Sequence, residues 1–437
     1  MSRSKIISSV DIGSTKITTL VGQYFLEEDQ INVIGVSSAR ARGIRKGQIV
    51  DIEEATESVS RSVEGAERMA GLPIKEAIVG ITAPHVTSLN SSGVVAVADP
   101  KGEITPLDVE RVIEAARAIS LPGTSEILHV IPRHFTVDGQ EGILDPTGMT
   151  GVRLEVETNI IISSLPAMRN LTRCLTDVGL SIGGLVYAGL ATGEAILTET
   201  EKELGVILID VGGGVTSLTI YTENFPCFVR VLPVGADNVT NDLAIGLRLS
   251  LEEAEKLKTF LSQDQGKNKE EKGKRAKDID KQKEEKDEFS LKKAGIIQEE
   301  EKRISRLSTT DGIIKPRLDE IFSLLKEEIR ESGFGGATPA GVVLTGGGSY
   351  LVGIKRSCQQ VLGLPVRIGS PKPVSGLGDE IASPAYASAI GLINYAVKTG
   401  QGVGSKKRPL PGLSMLKGIK LGGVFKKILQ TIKPLLP

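Results

Sequence analysis

Two aspartates occupy the same place in two glycine-rich turns. Asp11 opens Asp-Ile-Gly-Ser-Thr-Lys (11–16) and Asp210 opens Asp-Val-Gly-Gly-Gly (210–214), an alignment at an offset of 199 that sets Gly13 on Gly212. A third run, Thr345-Gly346-Gly347-Gly348-Ser349, follows the strand-like Gly341-Val342-Val343-Leu344. A chain of phosphates needs many backbone N–H donors at close range, and only glycine brings the backbone that near without a Cβ clash. Two such loops would clamp the phosphates from both sides, with Asp11 and Asp210 facing each other across them. Magnesium keeps several waters and is held through one or two carboxylates plus phosphate oxygens, which this pair can supply through water. Lys16, inside the first loop, adds a counter-charge. Either turn alone is a weak signal, and either aspartate alone could simply stabilise its turn. Their repetition favours a shared cleft.

The surrounding elements are written twice as well. Ile6–Val10 and Ile17–Val21 read as a hairpin around the first turn, and Val206–Ile209 with Thr216–Tyr221 repeats it. A repeat at that distance is too long for a solenoid and predicts two related halves. Between the copies, strands are expected over 76–81 and 86–98, then a helix capped by Thr105 with Pro106 in its first turn and running to about Ala118. More strands follow through Ile162, so this stretch reads as an inserted α+β subdomain with an exposed surface. Residues 264–288 carry 18 charges in 25 positions, nine of each sign, which predicts a solvated loop or frayed helix. Helical patterns are expected over Ser290–Arg303 and Pro316–Glu331, the second placing Ile321, Leu324, Leu325 and Ile329 in the core. Tyr350–Leu362 reads as a helix whose amino terminus would meet a nucleotide.

Composition narrows the class. The 437 residues hold 53 basic and 54 acidic side chains, a net charge of −1, so no global basic field calls for nucleic acid. Residues 401–437 hold eight Lys or Arg and no acid. Cys174, Cys227 and Cys358 lie far apart, and His85, His129 and His134 form no ligand spacing with them. Neither a disulfide framework nor a zinc site is expected, and a reducing cytosol fits. No apolar run approaches the roughly 18 residues of a spanning helix, and Asp11 interrupts the opening stretch too early for a secretory signal.

The order VDIGSTK, LIDVGGG and VVLTGGGSY resembles the two phosphate loops and adenosine loop of the actin, Hsp70 and sugar-kinase superfamily. Three further runs resemble the bacterial FtsA family in particular: ARGIRKGQIVDIEEA ending at Ala55, VYAGLATGEAILTETEKELGVILIDVGGG at 186–214, and VTNDLAIGLRLSLEEAEKLK at 239–258. The likeness covers nearly all of residues 5–398. It implies an α/β, actin/Hsp70-like (ribonuclease H-like) duplicated two-domain fold with an inserted α+β, SHS2-like subdomain at 81–163. Residues 1–80, 164–200 and 378–398 would form the first half, 201–235 and 332–377 the second, and 236–331 a small subdomain. It also implies ATP with Mg2+, held by Asp11 and Asp210 through water and by Gly13, Ser14, Thr15, Lys16, Gly212, Gly213 and Gly214. Glu255 would contact the ribose, and Gly346, Gly347, Gly348 and Ser349 the adenosine. Where hydrolysing actin relatives place a Gln or Glu to orient water, this chain has Ala188, so weak ATP turnover at most is expected. The family's partners are the C-terminal tail of FtsZ, for which Arg303 and Arg317 match the pattern, a second copy of itself, and later division proteins. A pilus-assembly actin homologue and a sugar- or acetate-type kinase are the alternatives on the same fold.

The tail adds a physical argument of its own. Residues 399–415 read as a Gly- and Pro-rich linker. Over Gly423–Lys433, Val424, Phe425, Ile428, Leu429 and Ile432 fall within about 140° of one another, with Lys426, Lys427 and Lys433 opposite. Eleven helical residues span about 16 Å, against roughly 30 Å of hydrocarbon. Such a helix lies in the interface of an anionic membrane. Together with the resemblance, this implies the cytoplasmic face of the cell membrane, at the division site, as the expected location. Docking on the protein's own body is the alternative.

Overall fold

The computed structural model describes residues 4–271, 287–297 and 303–401. The internal repeat is real at the level of single hydrogen bonds. In the first copy, strands Ser4–Ile12 and Lys16–Phe25 pair antiparallel, with Asp11 opposite Thr18 and Ile12 opposite Ile17. In the second, Val206–Val211 and Thr216–Thr222 set Asp210 opposite Ser217 and Val211 opposite Thr216. Each turn is closed by one matching backbone bond, Gly13 N–H to Lys16 C=O at 3.1 Å and Gly212 N–H to Val215 C=O at 2.9 Å. Each opening strand also takes a parallel neighbour on its other side, Glu76–Ile81 in one half and Val342–Thr345 in the other.

These hairpins centre two sheets. One has six strands, in the order Ser181–Tyr187, Glu76–Ile81, Ser4–Ile12, Lys16–Phe25, Gln30–Arg40 and Ser375–Gly376. The other has nine: Val366–Ile368, Val342–Thr345, Val206–Val211, Thr216–Thr222 and Phe225–Leu232 continue into Thr87–Ala96, Arg153–Ser164, Ser125–Val137 and Gln140–Ile143. The last four strands belong to the segment between the repeats. It is joined by sequence to the first half yet extends the sheet of the second, through Arg230 opposite Thr87. Val229 N–H also donates to Ser88 Oγ at 2.7 Å, and Asn159 Nδ2 to the Cys227 carbonyl at 3.0 Å. To the first half it is tied by the Tyr187 N–H, which donates to His129 Nε2 at 3.0 Å. Burial holds the His129 imidazole down at about 4, so it is neutral and able to accept that bond.

The Thr105 cap is present. Pro106–Arg117 is a helix with a reciprocal capping box between Thr105 and Asp108. The Asp108 carboxylate also accepts from the Ala98 amide at 3.2 Å and pairs with Arg111 at 2.9 Å. Burial pushes its pKa up, but these hydrogen bonds and the arginine outweigh that and hold it below the usual carboxylate range.

Three expectations are corrected. The helix expected over Ser290–Arg303 is not found among its described residues: Glu288–Ser290 and Arg303–Ser305 pair as short antiparallel strands, and Leu291–Ala294 is a 3-10 turn. Phe289, Leu291, Ile296 and Ile304 supply apolar side chains to the core. Tyr350–Leu362 begins later than expected, as a 3-10 turn Gly347–Tyr350 and a helix only from Ile354. Leu324, on helix Lys315–Ser332, is 41% exposed while Ile321, Leu325 and Ile329 are buried. The charged run begins as helix, since Leu251–Glu271 is continuous. Cys174, Cys227 and Cys358 are free and buried. No helix among the described residues is long and apolar enough to cross a membrane.

Replacing Asp108 with Ala should destabilise the inserted segment by roughly 2 kcal/mol, because the part-buried amide bonds from Ala98 and Thr105 lose their acceptor as the cap is lost. Urea unfolding followed by hydrogen exchange at Ala98 and Thr105 would check it.

Candidate functional site

A cleft of about 610 Å³ lies where the two hairpin turns meet. Asp11, Gly13, Ser14, Thr15 and Lys16 line one side, and Asp210, Gly212, Gly213 and Gly214 the other, with Gly346, Gly347 and Gly348 along a third edge. The glycines are sterically required. A Cβ on Gly213 would sit 1.8 Å from Thr15 Oγ1, and one on Gly214 would sit 2.6 Å from Ser14 Oγ. The two loops therefore approach each other as closely as bare backbone allows. Gly346 has φ 84°, and a Cβ there would lie 2.1 Å from Asp210 Oδ1, so the third turn is pressed onto the second aspartate.

The electrostatics are poised for a cation. Asp11 and Asp210 are both buried, and burial raises the pKa of each. Asp210 is pushed to about 7, first by burial and then by the charge of Asp11. Ser388 Oγ donates to Asp11 at 3.0 Å and Thr192 Oγ1 to Asp210 at 3.4 Å. Lys16 provides the nearby positive charge, lowered in pKa by its own burial and resting 3.8 Å over the Tyr386 ring. One lysine between two acids leaves an excess of negative charge that a divalent ion would neutralise. Cradle and carboxylates together fit a polyphosphate with a divalent cation.

A second polar group was only partly foreseen. Helix Leu251–Glu271 presents Glu255 and Lys258 one turn apart, and both line the cleft. Lys258 is nearly buried; its Nζ lies 2.6 Å from Glu255 Oε2 and donates to Thr240 Oγ1 at 2.8 Å. Thr240 Oγ1 in turn donates to Glu255 at 2.6 Å. Asp237, at the start of helix Ala236–Leu247, completes the wall, its pKa raised by burial against the pull of Lys258. Lys258 was legible as the partner three residues after Glu255 on one helix face. Asp237, Thr192 and Ser388 carried no local signal, since only the fold brings them here.

Every expected contact of the three glycine turns lines this cleft except Ser349. Its buried hydroxyl donates to the Gly346 carbonyl at 2.7 Å and closes its own turn, and Tyr350 takes the place at the edge. Ala188 starts helix Ala188–Ile196 and is buried beside Asp11: a Cβ on Gly80 would lie 3.2 Å from Asp11 Oδ1 and 3.7 Å from Ala188 Cβ. Arg317 is not a free cation, since it forks onto Asp242 at 2.6 and 2.9 Å and also pairs with Glu320. Arg303 is mostly exposed, 4.0 Å from Glu288. The tail residues Val424, Phe425, Lys426, Lys427, Ile428, Leu429, Ile432 and Lys433 lie outside the described residues.

Comparison with known proteins decides the family. A family model described as Cell division protein FtsA matches residues 207–391, and one described as SHS2 domain inserted in FTSA matches residues 83–162. Cell division protein FtsA of Pseudomonas aeruginosa is 35% identical over 90% of this chain and 90% of its own length. The Bacillus subtilis protein of the same name is 36% identical over 93% of this chain and 87% of its own.

The chain belongs to the FtsA family of cell division proteins.

Solved structures agree on an actin-like fold. A PilM–PilN type IV pilus biogenesis complex superposes with a TM-score of 0.59 at 16% identity, covering 90% of this chain and 98% of its own. MreB5 of Spiroplasma citri bound to ADP gives 0.50 at 14% identity, over 90% and 97%. The inserted segment is thus the SHS2 domain of this family, and the two halves joined at the cleft are actin-like.

A raised carboxyl pKa makes the folded, metal-free protein hold a proton that the unfolded chain has released. Ionised Asp210 therefore costs stability as pH rises from its ordinary value of 3.8 towards 7. In chelator and without nucleotide, the melting-temperature advantage of Asp210→Asn over wild type should grow between about pH 5 and about pH 8. A constant difference across that range would contradict the assignment.

Proposed function

We propose that this FtsA-family protein binds Mg·ATP in the cleft with little turnover and tethers FtsZ filaments to the cytoplasmic face of the cell membrane. The observation that carries the nucleotide reading is the pair of buried carboxylates, Asp11 and Asp210, inside a cradle that admits only backbone. The loop amides of 13–16 and 212–214 would hold the phosphates, Lys16 would add charge, and Glu255 with Lys258 would face the sugar. Gly346–Gly348 and Tyr350 would border the base. A magnesium ion would be held near Asp11 and Asp210 through water and would supply the positive charge that offsets the two carboxylates.

Low turnover is supported by Ala188. A methyl group at that position offers nothing to orient an attacking water, while the binding groups are intact. The protein then serves as a nucleotide-loaded scaffold able to assemble with copies of itself and to recruit later division proteins. Arg303 is the better candidate than Arg317 for an acidic FtsZ tail, because Arg317 is already committed to Asp242 and Glu320. The amphipathic stretch 424–433 would supply the membrane contact, apolar side down and lysines toward anionic headgroups.

Steady-state ATP turnover should fall orders of magnitude below the 1–100 per second or so of dedicated kinases, with tight Mg·ATP binding by calorimetry. Turnover in the kinase range would overturn the scaffold reading. In pelleting with vesicles containing anionic lipid, Glu at both Phe425 and Leu429 should cut binding by about tenfold or more. Undiminished binding would remove this helix from the proposal. Charge reversal at Arg303 should weaken FtsZ-tail binding more than reversal at Arg317, as read by anisotropy of a labelled tail peptide.

A further inference from the structure

A second cavity, of about 430 Å³, opens where the SHS2 segment meets both halves. Val109 and Ile113 come from the capped helix, Leu190 and Tyr395 from the first half, and Phe225 from the second. Leu144 forms part of its lining and is 67% exposed. An apolar chamber of this size admits two or three large side chains. Its charged lining is balanced: Arg133 and Lys398 oppose Glu194 and Asp145. Charge therefore does not choose the occupant. Position does.

Lys398 and Thr399, the last turn of helix Ala387–Thr399, are themselves lining residues, and the described chain stops two residues later at Gln401. The sequence then supplies 402–437, including the amphipathic stretch 423–433. The 21 residues between, 402–422, can span at most roughly 75 Å, and they start at the cavity's edge. A segment tethered this close is present at an effective concentration in the millimolar range, so even a weak fit is occupied. Helices enter apolar grooves through anchors at i, i+4 and i+7, the spacing of Phe425, Leu429 and Ile432 in this sequence.

We propose that this cavity is the resting site of the chain's own C-terminal helix, with Phe425 and Leu429 as its anchors. The inference rests on the membrane-helix reading above and adds its regulation. The same apolar face cannot lie in the cavity and in a bilayer at once. Docking therefore masks the membrane anchor until vesicles, or a competing segment in the cavity, displace it.

Because the three native cysteines are buried, an engineered pair reports cleanly in the full-length protein. Leu144→Cys with Leu429→Cys should form an intramolecular disulfide about tenfold faster than a control pair of Ile245→Cys with Leu429→Cys. Ile245 is 79% exposed and lies on the small subdomain rather than in the cavity lining. Vesicles containing about 30% phosphatidylglycerol should abolish the difference as the helix leaves for the bilayer. Equal rates for the two pairs, or a crosslink at Leu144→Cys that joins two chains, would overturn the proposal. Vesicle pelleting of the unmodified protein separates the two readings. Binding without preferential crosslinking refutes docking alone, and crosslinking without binding refutes the membrane reading alone.

Discussion

Two carboxylates that repel each other in a buried place set the terms for this molecule. Asp11 and Asp210 end the first strand of each half, and no arrangement of the described side chains neutralises both. Ser388, Thr192 and Lys16 ease the conflict, yet Asp210 still sits near 7. A fold keeps such a conflict when something bound resolves it. The glycines serve the same close approach, because a Cβ on Gly213, Gly214 or Gly346 would run into Thr15, Ser14 or Asp210. The two sheets are the frame that brings the ends of two distant strands together.

Duplication accounts for why so much of this was legible. The offset of 199 predicted matching turns, and the structure repeats even their closing hydrogen bonds. Alternating strands and the Thr105 cap were equally readable, since each depends on neighbours in sequence. Lys258 could have been found from Glu255 by helical spacing. What resisted reading was assembled from afar. Ser388 reaches Asp11 across 377 residues of sequence, and Thr192 meets Asp210 only because two elements cross. Ser290–Arg303 was misjudged because strands of three residues are too short to carry a pattern and are fixed by their pairing with each other. Ser349 was misplaced because a hydroxyl next to three glycines can serve the turn as easily as the ligand. The pairing of Arg317 with Asp242 depends on two helices far apart in sequence, and no local pattern announces it.

On the proposed reading, Ala188 is the side chain that divides binding from turnover. The cradle needs backbone and acids, all of which are present. Hydrolysis needs one further polar group beside them, and that position holds a methyl. On the proposed reading, a protein that has kept the first and lacks the second would treat nucleotide as a structural component, comparable to a bound ion.

The SHS2 segment is connected by sequence to one half and by sheet pairing to the other. Its covalent ends leave the first half at Ala83 and return at Ser164, while Thr87 and Ser88 bond to the strand Phe225–Leu232 of the second. Mechanically it is a brace that ties the two halves together. The halves cannot swing apart without shearing the Arg230–Thr87 register or prying His129 from Tyr187. Any parting of the halves would thereby be geared to the SHS2 segment, and a load applied to that segment would be felt as torque on the cleft.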